Sequence, residues 1–133
     1  NMPNYCTNLL HVLGDANTVA EFHRRFTKYG NADEKYSFQG FVPDPGTMDG
    51  RYDAWGTKWD ACFCQMSISE PNLMGYQFET AWAPPIPVVH AMQREFPELD
   101  IELEYEEPSW GFQGSVLADG TVIQEDYEEE QVA

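Results

Sequence analysis

The order of periodic segments along the chain predicts an α+β domain of the ferredoxin-like, split βαβ kind. It would consist of a four-stranded antiparallel sheet, two helices on one face of that sheet, and an extra C-terminal β-hairpin. Three observations carry the prediction. Segments of alternating character at 5–13, 62–69, 74–82 and 99–105 are interrupted by segments of helical period at 18–28 and 88–96. Their order is strand, helix, strand, strand, helix, strand. A chain of 133 residues, 42% apolar and 14% aromatic, is long enough for one core and too short for two.

Each element has a local cause. Tyr5 to Leu13 stops at the Gly14-Asp15 turn, where Asp15 or Asn17 would cap the helix that follows. In that helix Val19, Phe22, Phe26 and Tyr29 recur at spacings of three and four and form a buried stripe, while Glu21, Arg24, Arg25 and Lys28 face water and Gly30 ends it. Pro43, Pro45, Gly46 and Gly50 oppose regular structure, so residues 31–60 read as an inserted Pro/Gly-rich loop packed by Tyr36, Phe38 and Phe41. Cys62 to Ser69 sets Cys62, Cys64, Met66 and Ile68 against Phe63, Gln65 and Ser67, and Glu70-Pro71-Asn72 turns the chain into Met74 to Trp82. Pro87 suits the first turn of a helix from Val88 to Phe96, whose apolar face is Val88, Val89, Met92 and Phe96, and Pro97 ends it. Leu99 to Tyr105 sends Ile101, Leu103 and Tyr105 one way and Glu102, Glu104 and Glu106 the other. Asp119-Gly120 closes a last hairpin of Phe112 to Leu117 and Thr121 to Gln124. The domain then spans 1–124, with the hairpin at 111–124 and a frayed acidic tail at 125–133.

Both helices would cover one face of the sheet. The other face would carry Leu9, His11, Leu13, Gln65, Ser67, Gln77, Glu79, Glu102 and Glu104. Leu9 and Leu13 need a cover there, and the hairpin or the Trp55 segment is the local candidate.

Charge is the most lopsided property of the chain. Of its seven Lys and Arg residues, only Arg94 lies after residue 66. The total is −16, with about −2 on the first half and about −14 on the last 67 residues. Such a surface repels phosphate and anionic lipid and attracts basic surfaces. Domains of this topology that bind RNA stack bases on sheet-face aromatics surrounded by Lys and Arg, whereas Glu79, Glu102 and Glu104 occupy that face here. Direct nucleic-acid binding is therefore disfavoured. No stretch approaches the ~20 apolar residues of a membrane span and the chain opens polar, which reads as a cytoplasmic protein. Cys6, Cys62 and Cys64 read as reduced thiols.

Chemistry-bearing motifs are scarce. Cys62 and Cys64 share a predicted strand face, but His11, His23 and His90 do not stand at zinc-ligand spacing from them, so no metal or cofactor is expected. Cys6 and His11 fall on opposite strand faces, and no nucleophile elbow, Walker loop or dinucleotide fingerprint is present. Catalysis is not expected. If it occurred, a pocket around Cys6, Asn8 or His11 would house it. Trp55, Lys58 and Trp59 could form an aromatic and cationic patch, although two indoles closing an open sheet edge, with Asp60 capping or pairing with Lys58, is the better-supported use of those residues.

Four segments resemble a known family. Met2-Pro3-Asn4-Tyr5-Cys6-Thr7-Asn8, Trp55-Gly56-Thr57-Lys58-Trp59-Asp60-Ala61, Phe78-Glu79-Thr80-Ala81-Trp82-Ala83-Pro84-Pro85 and Tyr105-Glu106-Glu107-Pro108 are similar to the YubB-like ferredoxin-like domain family. The Trp-Gly-Thr-Lys-Trp-Asp run is the most specific of them. Tyr5 and Ala83 stand where relatives are expected to carry Trp and Ser, and the acidic tail is a larger departure. That family is carried mainly by bacteriophages, plasmids and their hosts, so the resemblance implies a mobile-element protein of the same fold, and it supplies no catalytic residues. Charge and resemblance together lead to the expectation of a non-enzymatic protein, cytoplasmic in a host bacterium. It would bind and inhibit a basic, nucleic-acid-binding defence protein of CRISPR or restriction type by mimicking nucleic acid. The partner-binding residues would be Glu79, Glu102, Glu104, Glu106, Glu107, Asp119, Glu125, Asp126 and Glu128. The alternatives are a structural or assembly module using the Trp55, Lys58 and Trp59 patch, and an enzyme.

Overall fold

Strand β1 (Tyr5–Leu13) is the axis of the molecule, because it is paired along both edges and alternates strictly between two environments. Cys6, Asn8, Leu10 and Val12 are fully buried on one side, while Thr7, Leu9 and His11 between them are half-exposed. In this computed structural model, which describes residues 4–126, the elements follow as α1 (Ala16–Thr27), α2 (Met48–Trp55), β2 (Cys62–Glu70), β3 (Leu73–Ala81), α3 (Ile86–Glu95), β4 (Asp100–Glu107), β5 (Phe112–Val116) and β6 (Val122–Asp126). The sheet is antiparallel and six-stranded, in the order β2-β3-β1-β4-β5-β6. The expected four strands are thus corrected to six: the C-terminal hairpin continues the sheet beyond β4 instead of lying over it.

That placement has a visible cause. Gln93 on α3 donates from Nε2 to the carbonyls of Ile101 and Leu117 at 2.9 and 2.8 Å, and His90 Nε2 lies 3.0 Å from the Gly120 carbonyl. These bonds tie the β5–β6 turn down beside α3. Tyr105 on β4 reaches across to β6, donating from its hydroxyl to Gln124 Oε1 at 2.7 Å. Leu13 consequently stays open, 47% exposed, and neither the hairpin nor the Trp55 segment covers the far face of the sheet.

The core fills the space between sheet and helices with rings. Phe22 and Phe26 of α1 meet Tyr76 and Phe78 of β3, and Phe41 packs on Phe22 with centroids 5.0 Å apart. Val88, Val89 and Met92 of α3 belong to the same buried cluster as Leu10, Ile101 and Leu103 of the sheet. Each such side chain contributes on the order of 1.5–3 kcal/mol relative to exposure. The inserted stretch is more regular than its Pro and Gly content predicts. It holds a 3-10 turn at Phe38–Gly40 and the helix α2, capped by Thr47 accepting from the Gly50 amide at 3.0 Å and ended by Gly56 in the left-handed region at φ 82°. Only Trp55 of α2 is buried, so its apolar stripe is too thin for periodicity to reveal.

The edge strand β2 departs from simple alternation. Register shifts fall between Cys62 and Gln65 and between Met66 and Ile68, and Phe63 takes φ 55° at the first of them. Bulges of this kind at an edge discourage pairing with another chain. They also separate residues expected on one face: Cys62 pairs opposite Glu79, Met66 opposite Tyr76, and Ile68 opposite Gly75.

Candidate docking face

The far face of the sheet is assembled by register. Thr7 lies between Glu79 of β3 and Glu106 of β4, Glu106 pairs with Gln113, and Gln113 pairs with Glu125. The next row runs Gln77, Leu9, Glu104, Ser115 and Ile123, and beyond it His11 stands beside Glu102. Carboxylates two apart along β4 are separated by ~6.8 Å, and those two strands apart by ~9.6 Å. Between the rows lies a shallow trough of about 610 Å³, lined among others by Thr7, Leu9, Gln77, Glu104, Glu106, Gln113 and Glu125.

Charge is sorted by layer. Among the described residues no strand contains a Lys or Arg, whereas β4 alone carries Asp100, Glu102, Glu104, Glu106 and Glu107. The three ion pairs among the described residues, Arg24 with Glu21, Arg25 with Glu95 and Arg51 with Asp44, belong to helices and to the loops beside them. Arg51 approaches Asp44 at 3.0 Å, and this bond holds the Asp44 carboxyl below its ordinary range.

Five of the expected partner-binding residues therefore share one face: Glu79, Glu102, Glu104, Glu106 and Glu125. Three do not. Glu107 follows the inward alternation of Tyr105 and is 0% exposed. Its Oε1 accepts from the Ser109 amide at 2.8 Å, and its Oε2 is buried without a hydrogen-bond partner. Asp126 sits one residue beyond Glu125 on the opposite side of β6, and Asp119 lies in the turn tied to α3, where the Thr121 amide holds its carboxyl low. Glu128 lies outside the described residues. Glu125 and Asp126, expected in a frayed tail, are ordered strand residues paired with Gln113 and Phe112.

The aromatic patch is divided as well. Trp55 is 1% exposed, donates from Nε1 to the Val42 carbonyl at 3.0 Å and packs edge-on against Phe38, so it belongs to the core. Trp59 is exposed, with Lys58 Nζ 5.3 Å from its ring centre. Asp60 does not pair with Lys58. Its carboxylate accepts from Ser37 Oγ at 2.6 Å and from the Phe38 and Ala61 amides at 2.7 and 2.8 Å, and burial raises its pKa against the pull of those donors.

The buried polar groups near Cys6 satisfy one another. Asn8 Nδ2 donates to Thr80 Oγ1 at 3.0 Å and to the Cys6 carbonyl at 3.1 Å, while Thr80 Oγ1 donates to the Ala83 carbonyl at 2.6 Å. Burial pushes the Cys6 thiol up to about 12, and the charges of Glu107 and Glu106 add to the effect. A thiol so disposed is a poor nucleophile at neutral pH. Among the described residues, no cluster of three or more His, Cys, Asp or Glu is arranged to hold a metal ion, and no helix is long and apolar enough to cross a membrane.

Trp82, expected as the last residue of a strand, lies instead just beyond β3 in a turn. Trp82 adopts φ 74°, and the Ala83 amide donates to the Ala81 carbonyl at 2.9 Å, which makes Trp82 the centre of a γ-turn of the rare positive-φ kind. For a bulky residue this backbone costs roughly 1–3 kcal/mol. Its indole rests on Trp110, with centroids 5.5 Å apart. Only a glycine or asparagine would have announced such a turn.

Fold and face together define an α+β domain with one helix-covered side and one open acidic side. The model of the ferredoxin-like domain in Api92-like proteins matches residues 55–133, more than half of the chain, and this protein belongs to that family. The crystal structure of the protein Api92 from Yersinia pseudotuberculosis is similar to it in fold, with TM-score 0.71 over 96% of this chain and 99% of that one at 9% sequence identity. No curated protein matches the chain.

Proposed function

We propose that this domain is a non-enzymatic binding module that offers the open face of its sheet to a basic, nucleic-acid-binding protein and competes there with nucleic acid. The observation that carries the reading is the sorting of charge by layer, with Glu79, Glu102, Glu104, Glu106 and Glu125 on one face whose strands lack Lys and Arg. A single DNA strand carries one phosphate per ~3.4 Å. One row of carboxylates along β4 is about half as dense, and the flanking acids from β3 and β6 fill it out to a two-dimensional array. A groove built for phosphates gains electrostatic steering from such an array. The resemblance of Trp55–Ala61 and the other quoted segments to the YubB-like family of phages and plasmids supports the finer reading: the target is a host defence protein of CRISPR or restriction type, met in the bacterial cytoplasm. A second reading, an assembly module, rests on the exposed Lys58 and Trp59 alone, since Trp55 is core.

The test is capture of host proteins on the immobilised domain, with the variant Glu102→Lys, Glu104→Lys, Glu106→Lys beside it. The expected result is one nucleic-acid-binding complex, displaced by competing DNA or RNA and by high salt, and lost by the triple variant although its circular dichroism is unchanged. Retention of the same complex by the triple variant would sink the proposal. Salt-insensitive capture abolished by Trp59→Ala would favour the assembly reading.

A further inference from the structure

The end of the sheet at which β1 begins and β4 finishes carries partly or largely exposed aromatic side chains, two of which, Phe63 and Trp82, sit at positive φ. Trp82 is held in its γ-turn from both sides: Thr57 Oγ1 donates to the Ala81 carbonyl at 2.9 Å, Thr80 Oγ1 to the Ala83 carbonyl at 2.6 Å, and the Trp82 amide to the Asn4 carbonyl at 2.9 Å. Strain that its surroundings enforce so fully points to a use for the side chain it positions. The partner indole is equally well supported. The amides of Trp110 and Gly111 donate to the Glu107 carbonyl at 3.2 and 2.9 Å, and that of Ser109 to Glu107 Oε1, so the buried glutamate is the post on which the Trp110 turn is wound. Trp110 nevertheless leaves 59% of its surface in water. At the same end Phe63, also at positive φ, is 68% exposed and meets Tyr5 edge-on at 5.9 Å.

The row of Glu79, Glu106 and Glu125 lies toward this same end of the sheet, with Glu79 three residues before Trp82 on the chain and Glu106 four before Trp110, on strands that hold no Lys or Arg. Indole faces and carboxylates at one place suit a planar cation. A guanidinium stacks on an aromatic face and presents a fork of N–H donors to carboxylates, whereas an ammonium is a strongly hydrated point charge that does neither as well. We infer that the Trp82–Trp110 pair is an arginine-binding site, at which a guanidinium of the basic partner stacks on Trp110 while carboxylates of the adjoining row accept its N–H groups. The inference rests on the reading of the open face as an acidic docking surface and adds to it a preference for arginine over lysine.

The experiment titrates the whole protein with hexa-arginine and with hexa-lysine at low salt, following the indole N–H signals by NMR. Hexa-arginine is expected to shift the Trp82 and Trp110 signals and to bind about tenfold more tightly than hexa-lysine. Trp110→Ala should erase that preference by lowering the hexa-arginine affinity much more than the hexa-lysine affinity, and Trp110→Phe should restore part of it. Equal affinities for the two peptides, or a preference that survives Trp110→Ala, overturn the arginine site and leave the acidic face standing. Absence of binding by either peptide overturns both.

Discussion

His23 and Tyr76 show how one buried contact makes this fold sensitive to pH. Their rings stack at 15° with centroids 5.8 Å apart, and His23 Nδ1 lies 2.8 Å from the Tyr76 hydroxyl. Burial drives the tyrosine far above its ordinary pKa and lowers that of the histidine below 6.5, so the phenol donates and the neutral imidazole accepts. Folding therefore favours the uncharged ring. The stability linked to it is present above the ordinary histidine range and is lost as pH falls through the depressed folded value. Thermal unfolding followed from about pH 7 to pH 5 should show the midpoint falling in the parent protein. In His23→Phe, which keeps the stack and leaves the Tyr76 hydroxyl without an acceptor, the midpoint should start lower, by roughly 1–3 kcal/mol of stability, and follow a flatter course. Equal slopes would remove His23 from the account.

Between β4 and β6 the contact that matters is made through a glycine. A Cβ at Gly114 would stand 2.4 Å from the Ile123 carbonyl oxygen and 2.5 Å from the Tyr105 hydroxyl, which is itself bonded to Gln124. Gly114→Ala should displace that tyrosine and loosen the terminal hairpin at a cost of about 1–3 kcal/mol. In hydrogen exchange, β6 amides would lose protection while those of β1 and β3 keep theirs. Uniform loss would mean that the hairpin and the rest of the sheet unfold as one unit. Much of this element level was legible in the sequence. Asp15 does cap α1, accepting from the Asn17 and Thr18 amides at 3.1 and 3.3 Å, and Val19, Phe22 and Phe26 form its buried stripe. The alternation of β4 correctly separated Glu102, Glu104 and Glu106 from the core. The same alternation, carried one residue further, turns Glu107 inward, so counting it among the surface acids was the error, while in β2 two bulges reset the faces. Helix α2 escaped because its only buried residue is Trp55. The bulges of β2 and the single buried residue of α2 do not follow from neighbours in the chain, and depend on what lies across the sheet or beneath the helix.

For the molecule as a whole, a formal charge of −16 concentrated on one half must repel itself in the folded state. Screening reaches ~8 Å at physiological ionic strength, comparable with the spacings on the acidic face, so added salt should raise the melting temperature until the array is screened. The triple Lys variant of β4 should show a much smaller rise. A melting temperature indifferent to salt in the parent protein would mean that the open-face carboxylates are too far apart to interact.

By itself the sequence determined the α+β class, the order of the main strands and helices, the core stripe of α1 and the imbalance of charge. These are local or compositional properties, set by the period of apolar residues and by how many acids the chain contains. Tertiary structure alone decided that the sheet has six strands, that Glu125 joins Glu79 and Glu106 in one row while Glu107 is buried, and that Trp110 faces water while Trp55 does not. A docking face is a matter of register between strands distant in sequence. A shift of one residue in the register of a strand would move that strand's side chains to the other side of the sheet.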